Sequence, residues 1–171
     1  MTTADVSLAR ALVEEATKKS GLIWVRGTGP ARALWHVWHE GAAVLVGDGG
    51  EQPLPAGVEA GAAAEVTVRS KDKGGRLVTW TAAVTVPEPH SEEWEAAVGE
   101  LKGKRLNAPD AEGLTERWAR ESRIVRLTPT AWSTDLPDTS QAAPPLPSGA
   151  TTRRAAPAAL PRLLLKRRGK R

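Results

Sequence analysis

The chain contains no cysteine, no phenylalanine and no tyrosine among its 171 residues, and its only isoleucines are Ile23 and Ile124. Without cysteine, the protein has no disulfide bond, no thiol nucleophile and no cysteine-ligated metal site. Seven tryptophans supply every aromatic side chain. Ala, Arg, Gly and Pro are abundant, which is typical of a GC-rich genome, so the missing Phe and Tyr do not indicate a mechanism.

Long apolar runs are missing as well. Nothing in the chain approaches the run of about 18 apolar residues that a membrane-spanning helix needs. The N-terminal stretch contains Asp5, Glu14 and Glu15 and is therefore unlike a secretory signal. We expect no membrane span and a cytoplasmic location.

Acidic residues are absent from the end of the chain. Residues 141–171 carry eight of the 24 basic residues and no Asp or Glu, so residues 1–140 carry 16 basic residues against 20 acidic ones. The net charge of +4 therefore comes from the tail, and the rest of the chain is mildly acidic. This distribution argues against nucleic-acid binding by the core. If the basic tail has a function, it predicts non-specific contacts with anionic lipid or nucleic acid.

Three stretches show the spacing of an amphipathic helix. Residues 5–19 carry an apolar stripe that comprises Val6, Leu8, Ala9, Leu12, Val13 and Ala16. Residues 91–104 begin with a serine suited to an N-cap and share one apolar face, made of Trp94, Ala97, Val98 and Leu101. Residues 111–121 predict a short helix in which Trp118 is the largest apolar residue.

Six segments are suited to β-strands. They cover residues 21–27, 32–40, 42–47, 64–70, 76–86 and 123–129. The most regular of them form a hairpin, residues 64–70 and 76–86, in which apolar residues alternate with polar ones. The short links favour antiparallel pairing, and about six strands with a helix near either end favour a small closed barrel.

Beyond Pro129 the strand pattern stops. Residues 130–171 are dominated by Pro, Ala, Ser and Thr, a composition that cannot bury enough apolar surface to become ordered. The sequence therefore predicts a barrel domain of residues 1–129 and a disordered tail of residues 130–171 with a basic C-terminus.

The stretch LWHVWH, residues 34–39, concentrates two of the three histidines and two of the seven tryptophans. His36 and His39 are three residues apart, and on a strand this spacing places them on opposite faces, so we expect no metal site. Trp35 then shares a face with His39, whereas His36 shares the other face with Trp38. A strand with bulky residues on both faces is expected to be buried on both sides.

The order of these elements resembles the FMN-binding split-barrel superfamily, which includes proteins like pyridoxamine 5′-phosphate oxidase and the deazaflavin-dependent oxidoreductases. The matching stretches are GLIWVRGTGPARALWHVWHEGAAVLVG and AEVTVRSKDKGGRLVTWTAAVTVPEPHSEEWEAAVGEL, followed by RIVRLTP. The resemblance implies a mainly β fold with flanking helices, a six-stranded antiparallel split β-barrel. It also implies a homodimer that binds a small molecule, FMN or a deazaflavin, at the dimer interface.

The candidate cofactor-binding residues are Trp35, His36, Trp38, Arg69 and Lys71. The first three lie on the two faces of the predicted strand, where the tryptophans either pack in the protein or form the wall of a ligand pocket. Arg69 and Lys71, near the hairpin turn, are the cations suited to a phosphate, with Arg26 and Arg32 as further candidates. No motif identifies a catalytic residue, so the sequence leaves open whether the protein is an enzyme.

A second hypothesis is a cofactor-free split-barrel dimer that acts as a binding or structural protein. In the superfamily, a Ser, Thr, Lys or Arg after the third strand often holds the cofactor phosphate. The corresponding stretch here is GDGGEQPLPAG, and the chain has no basic residue between Arg32 and Arg69. Asp48 and Glu51 in this stretch would repel a phosphate, which favours the second hypothesis.

Overall fold

The computed structural model describes residues 3–71, 74–105 and 112–133, with side chains from Val6 onward. These ranges form α1 (Thr3–Lys19), β1 (Ile23–Arg26), β2 (Arg32–Leu34), β3 (Val37–His39), β4 (Ala42–Gly47), β5 (Ala63–Arg69), β6 (Arg76–Thr85), α2 (Glu92–Lys104), α3 (Leu114–Glu121) and β7 (Arg123–Ser133). The strands make one antiparallel sheet in the order β2-β1-β5-β6-β7-β4-β3. The predicted tail lies outside the described residues from residue 134 onward.

The strand predicted over residues 32–40 is two strands in the structure. β2 pairs with β1 and β3 pairs with β4, so these two short strands are the opposite edges of the sheet. Leu34 and Val37 are only three residues apart, and three peptide units span at most about 11 Å. The sheet must therefore curl until its edges approach each other. This confirms the mainly β, antiparallel, curled architecture, but the strand count is seven and not six because of the break at Trp35 and His36.

The larger hydrophobic core fills the inside of the curled sheet. Every strand except β3 contributes fully buried side chains to it, including Val25, Leu34, Leu45, Val66, Trp80 and Leu127. The alternation predicted for the hairpin is confirmed, because Val66 and Val68 of β5 face this core together with Val78, Trp80, Ala82 and Val84 of β6. α1 adds Val13 to the same core.

A second core lies on the outer side of β3, β4 and β7, where α2 and α3 pack. It is built around two fully buried indole rings, Trp94 of α2 and Trp118 of α3, which meet Val44 and Ile124 of the sheet. Ser91 caps α2 as predicted, since its hydroxyl accepts a hydrogen bond from the Trp94 backbone N–H at 3.2 Å. None of the three helices in the described ranges combines the length and the apolar character needed to cross a bilayer.

α1 buries a narrower face than its apolar stripe predicts. Ala9 and Val13 are buried, but Leu8 is 74% exposed and Leu12 is 46% exposed. The contact face follows the spacing 9, 13, 16 and 17, so that Leu8 and Leu12 lie to one side of it. Two leucines of this helix are therefore left at the surface.

β7 is longer than the sequence predicts. It continues to Ser133, four residues beyond the predicted end of the barrel domain at Pro129, and pairs with β6 up to Thr79. The register shifts where Ala82 faces Pro129 and Thr81 faces Ala131, which leaves Thr130 as an extra residue. Proline lacks an N–H and is tolerated in strands at such bulges, so Pro129 interrupts the ladder without ending it.

Shortening the chain should test this boundary. A chain that ends at Pro129 loses the pairing of Ala131, Trp132 and Ser133 with β6, including the indole of Trp132 that packs against the inner core. We expect its free energy of unfolding to be about 2 kcal/mol lower than that of a chain that ends at Ser133. Urea unfolding of the two shortened chains and of the full chain measures this difference. Equal unfolding midpoints for the two shortened chains would contradict the contribution of residues 130–133.

Candidate functional site

The break between β2 and β3 is held by the side chain of Gln52. Its Nε2 donates to the carbonyl oxygen of Trp35 at 2.8 Å and to that of Val46 at 3.1 Å, and its Oε1 accepts from the Trp35 backbone N–H at 2.8 Å. The amide thus offers Trp35 the donor and acceptor that a neighbouring strand would otherwise supply. One glutamine side chain therefore replaces the missing ladder where the two sheet edges approach.

The carboxylate of Glu51 is buried beside two arginines. Its side chain is 3% exposed and lies 3.1 Å from Nε of Arg105 and 3.6 Å from Nη2 of Arg117. The indole N–H of Trp118 donates to the same carboxylate at 3.0 Å. A buried carboxylate needs such partners, because removing it from water is costly unless it is paired and hydrogen-bonded. Glu51 thereby fastens the loop after β4 to α3 and to the end of α2.

Asp48, at the start of the same loop, is also paired. Its Oδ2 lies 2.7 Å from Nη2 of Arg123 and accepts from Nε of that arginine at 2.8 Å. Asp48 and Glu51 therefore face arginines rather than an approaching ligand. In the structure both acids are paired with arginines, and the expectation that they repel a phosphate stays a prediction.

Replacing Glu51 should be severe. In Glu51→Gln, Arg105 and Arg117 lose their buried counter-charge, and we expect the free energy of unfolding to fall by about 3 kcal/mol. Glu65→Gln is the matched control, because Glu65 pairs with Arg26 at 2.9 Å while both side chains are about half exposed, and it should change stability by less than about 1 kcal/mol. Chemical unfolding measures both losses. Similar losses in the two variants would show that the buried Glu51 cluster contributes no more to stability than an exposed ion pair.

Trp35, His36 and Trp38, the predicted cofactor-binding residues of this stretch, lie in three different surroundings. Trp35 packs on the outer core, with the guanidinium of Arg105 at 5.9 Å from its ring centre. Trp38 packs on the inner core, edge to face against Trp80 at 6.4 Å. His36 bonds to α1. The predicted alternation of this stretch is confirmed, and the cofactor-binding roles of Trp35, His36 and Trp38 stay predictions.

His36 joins the strand break to the last turn of α1. Its Nε2 lies 2.9 Å from the carbonyl oxygen of Thr17, so Nε2 carries the proton and donates. Its Nδ1 is buried and has no hydrogen-bond partner within the described residues. Burial lowers the pKa of His36, and the bond to Thr17 opposes that effect only partly. The neutral imidazole is therefore the form that fits this position.

The lowered pKa of His36 predicts a pH-dependent stability. The unfolded chain binds a proton at the ordinary value of 6.5, while the folded chain resists it, so stability is complete above about pH 6.5 and falls as the pH drops toward the lowered pKa. Urea midpoints measured between about pH 8 and pH 5 should decrease on acidification. His36→Gln keeps a donor for Thr17 but cannot titrate in this range, and its pH dependence should be weaker. An unchanged slope in the variant would assign the effect to other groups.

Arg69 and Lys71, the predicted phosphate cations, line one groove with the last turns of α1. The groove has a volume of about 400 Å³, and we call it the α1 groove. Its lining consists of Leu12, Glu15, Ala16, Lys19, Ser20, Arg69, Ser70, Lys71 and Leu77. Apolar side chains and cations thus share one concave surface. Arg26 does not line it and is paired with Glu65.

A β-bulge shapes the hairpin side of the α1 groove. Val68 faces Val78 and Arg69 faces Arg76, so Leu77 is an extra residue on β6. Bulges re-aim side chains, and here Leu77 is 43% exposed and lines the groove instead of continuing the alternation. The turn itself is closed by hydrogen bonds from the Ser70 N–H to the Gly75 carbonyl at 2.8 Å and from the Gly74 N–H to the Ser70 carbonyl at 3.0 Å.

The cations of the α1 groove differ in their partners. Lys19 is paired with Glu15 at 2.9 Å, and Lys19 accordingly lowers the pKa of Glu15. Arg69 lies over the ring of Trp24, with its guanidinium carbon 4.3 Å from the ring centre. Within the described residues, no acidic side chain forms an ion pair with Arg69 or Lys71. These two residues are the cations that remain available to an anion.

Sequence reasoning identified Arg69 and Lys71 but missed the rest of the α1 groove. Neither Lys19 nor Trp24 is among the residues that the sequence singles out. A signal for Leu77 does exist in the sequence. In RLVTWTAAV, Leu77 stands next to Val78, and two adjacent apolar residues at the start of an otherwise alternating strand are consistent with a bulge.

Within the described residues, no three potential metal ligands come together.

No protein-family model matches the chain, and no curated protein matches it. The chain is similar to several solved structures. One is a putative general stress protein 26 from Jannaschia sp. CCS1, with a TM-score of 0.49, 15% identity, and coverage of 76% of this chain and 77% of that one. Others are the heme storage protein HutZ from Vibrio cholerae (TM-score 0.47, 10% identity, 71% and 90% covered) and an F420 reductase (TM-score 0.46, 20% identity, 70% and 94% covered). Similarity at this level does not assign a function.

Proposed function

We propose that this chain is a split-barrel protein that binds FMN or a deazaflavin through the α1 groove and works as a homodimer. The observation that carries the proposal is the meeting of Arg69 and Lys71 with the apolar side chains of Leu12 and Leu77 in one groove. When bound, the cofactor would supply hydride-transfer chemistry, and the protein would supply binding and orientation.

The chemistry of the groove fits a ligand that is apolar at one end and anionic at the other. Its volume of about 400 Å³ lies in the range of small-molecule sites. A guanidinium and an ammonium are the groups that proteins use to bind phosphate, and the Trp24 ring holds the guanidinium of Arg69 in place. The flavin phosphate would lie at Arg69 and Lys71, and the ring would pack on Leu12 and Leu77.

Fluorescence titration tests this proposal with two ligands that differ in a single group. FMN carries a phosphate and riboflavin lacks it, so we expect FMN to bind more tightly and Lys71→Glu to weaken FMN binding by roughly tenfold to a hundredfold. Riboflavin binding should be almost unchanged in the same variant. Lys104→Glu, at the exposed end of α2, makes the same charge change outside the groove and should bind FMN normally.

Two outcomes would contradict the proposal. The first is no binding of FMN or of a deazaflavin at micromolar concentrations by a colourless purified protein. The second is equal weakening of FMN binding by Lys71→Glu and Lys104→Glu, since net charge and not the α1 groove would then explain the affinity.

The second candidate function is a cofactor-free dimer that binds another molecule or has a structural role. One observation favours it. The loop after β4, where the superfamily often holds the phosphate, uses its charged side chains for internal pairs, Asp48 with Arg123 and Glu51 with Arg105 and Arg117. A protein of this kind would be colourless, would not bind FMN and would sediment as a dimer.

A further inference from the structure

The exposed apolar side chains of the protein are gathered on one side of it. Every large apolar residue that is exposed in the described part of the chain lies on α1, in the turn after it, or at the start of β6. They are Val6, Leu8, Leu12, Leu22 and Leu77, with exposed fractions between 39% and 74%. We call this set the leucine surface. Apolar side chains that are exposed on neighbouring elements are candidates for a site of interaction.

Contacts around the α1 groove link several residues of the leucine surface to one another. Leu12 and Leu77 line the groove together. Leu8 lies one helical turn before Leu12 and therefore continues the same face of α1. Ser20 also lines the groove, and its hydroxyl donates to the carbonyl oxygen of Leu22, which places the turn after α1 beside it.

Among the side chains that the structure describes around the leucine surface, basic residues exceed acidic ones. Glu14 and Glu15 are each paired with a lysine four residues on, Lys18 and Lys19, so these charges cancel. Arg69 and Lys71 remain as excess positive charge beside Leu77. The combination of protruding leucines and a basic border is the one that binds an anionic lipid surface, where apolar side chains enter the acyl boundary and cations meet the headgroups.

We propose that the leucine surface docks onto an anionic phospholipid bilayer, with Leu8 and Leu22 entering the lipid and the adjacent basic residues facing the headgroups. A second copy of the chain suits this surface less well. In a two-fold dimer each patch meets itself, so the excess cations of one copy would approach those of the other. The proposal shares Arg69 and Lys71 with the proposed cofactor site, so its test changes Leu8 and Leu22, which do not line the α1 groove.

Sedimentation of the full chain with vesicles tests the proposal. We expect binding to phosphatidylcholine vesicles that contain phosphatidylserine, little binding to pure phosphatidylcholine, and loss of binding as salt is added. The double variant Leu8→Ser and Leu22→Ser should lower vesicle binding by roughly tenfold or more. The matched control, Leu8→Met and Leu22→Met, should bind like the parent. Both leucines are exposed, so circular dichroism should show all three proteins folded, with equal FMN titrations.

Two results would overturn the proposal. If the double serine variant binds vesicles as well as the parent, the basic tail alone is responsible. If the parent does not bind vesicles and sediments as a dimer, while the serine variant sediments as a monomer, the leucine surface is an interface between copies. Failure of FMN binding alone would leave the vesicle result intact, so the two proposals fail separately.

Discussion

The buried carboxylate of Glu51 is the constraint on which much of the molecule depends. It is removed from water, so it must be matched by charge and by hydrogen bonds, and its three partners come from two helices: Arg105 at the end of α2, and Arg117 and Trp118 on α3. The loop after β4 therefore cannot move without disturbing the packing of both helices. A buried pair of this kind contributes less net stability than apolar packing would, but leaving it half satisfied is strongly destabilising. It specifies where the helices sit on the outer side of the sheet.

The next residue, Gln52, performs a comparable task for the backbone. Its side-chain amide pairs with Trp35 where β2 has ended and β3 has not begun, so the chain can pass from one edge of the sheet to the other without leaving backbone groups unsatisfied. Curling of the sheet and fastening of the helices are thus both controlled from one short loop. His36 adds a third link, because it ties the same break to the last turn of α1.

How far the sequence predicts this structure depends on whether a feature repeats. The hairpin of β5 and β6 and the helix after Ser91 follow patterns of period 2 and 3.6, and both are predicted correctly because each residue reports on its neighbours. The partners of Glu51 lie 54 to 67 residues away along the chain, so no local pattern announces them. The same holds for the α1 groove. Arg69 and Lys71 could be named from the hairpin turn, and the adjacent apolar pair Leu77-Val78 indicates the bulge, but no local pattern predicts that they meet Leu12 of α1. The strand break is missed for a related reason. The backbone N–H and carbonyl of Trp35 are satisfied by the side chain of Gln52, which lies 17 residues further along the chain.

The bulge at Leu77 separates the tip of the hairpin from its regular ladder. Arg69, the turn and Arg76 lie on one side of it, and the regular ladder and the inner core begin on the other side with Val68 and Val78. A change of length or of composition at this tip would leave every core contact in register. Over evolutionary time, one end of the hairpin could therefore exchange its cations, widen the groove or close it, while the barrel that carries it stayed the same.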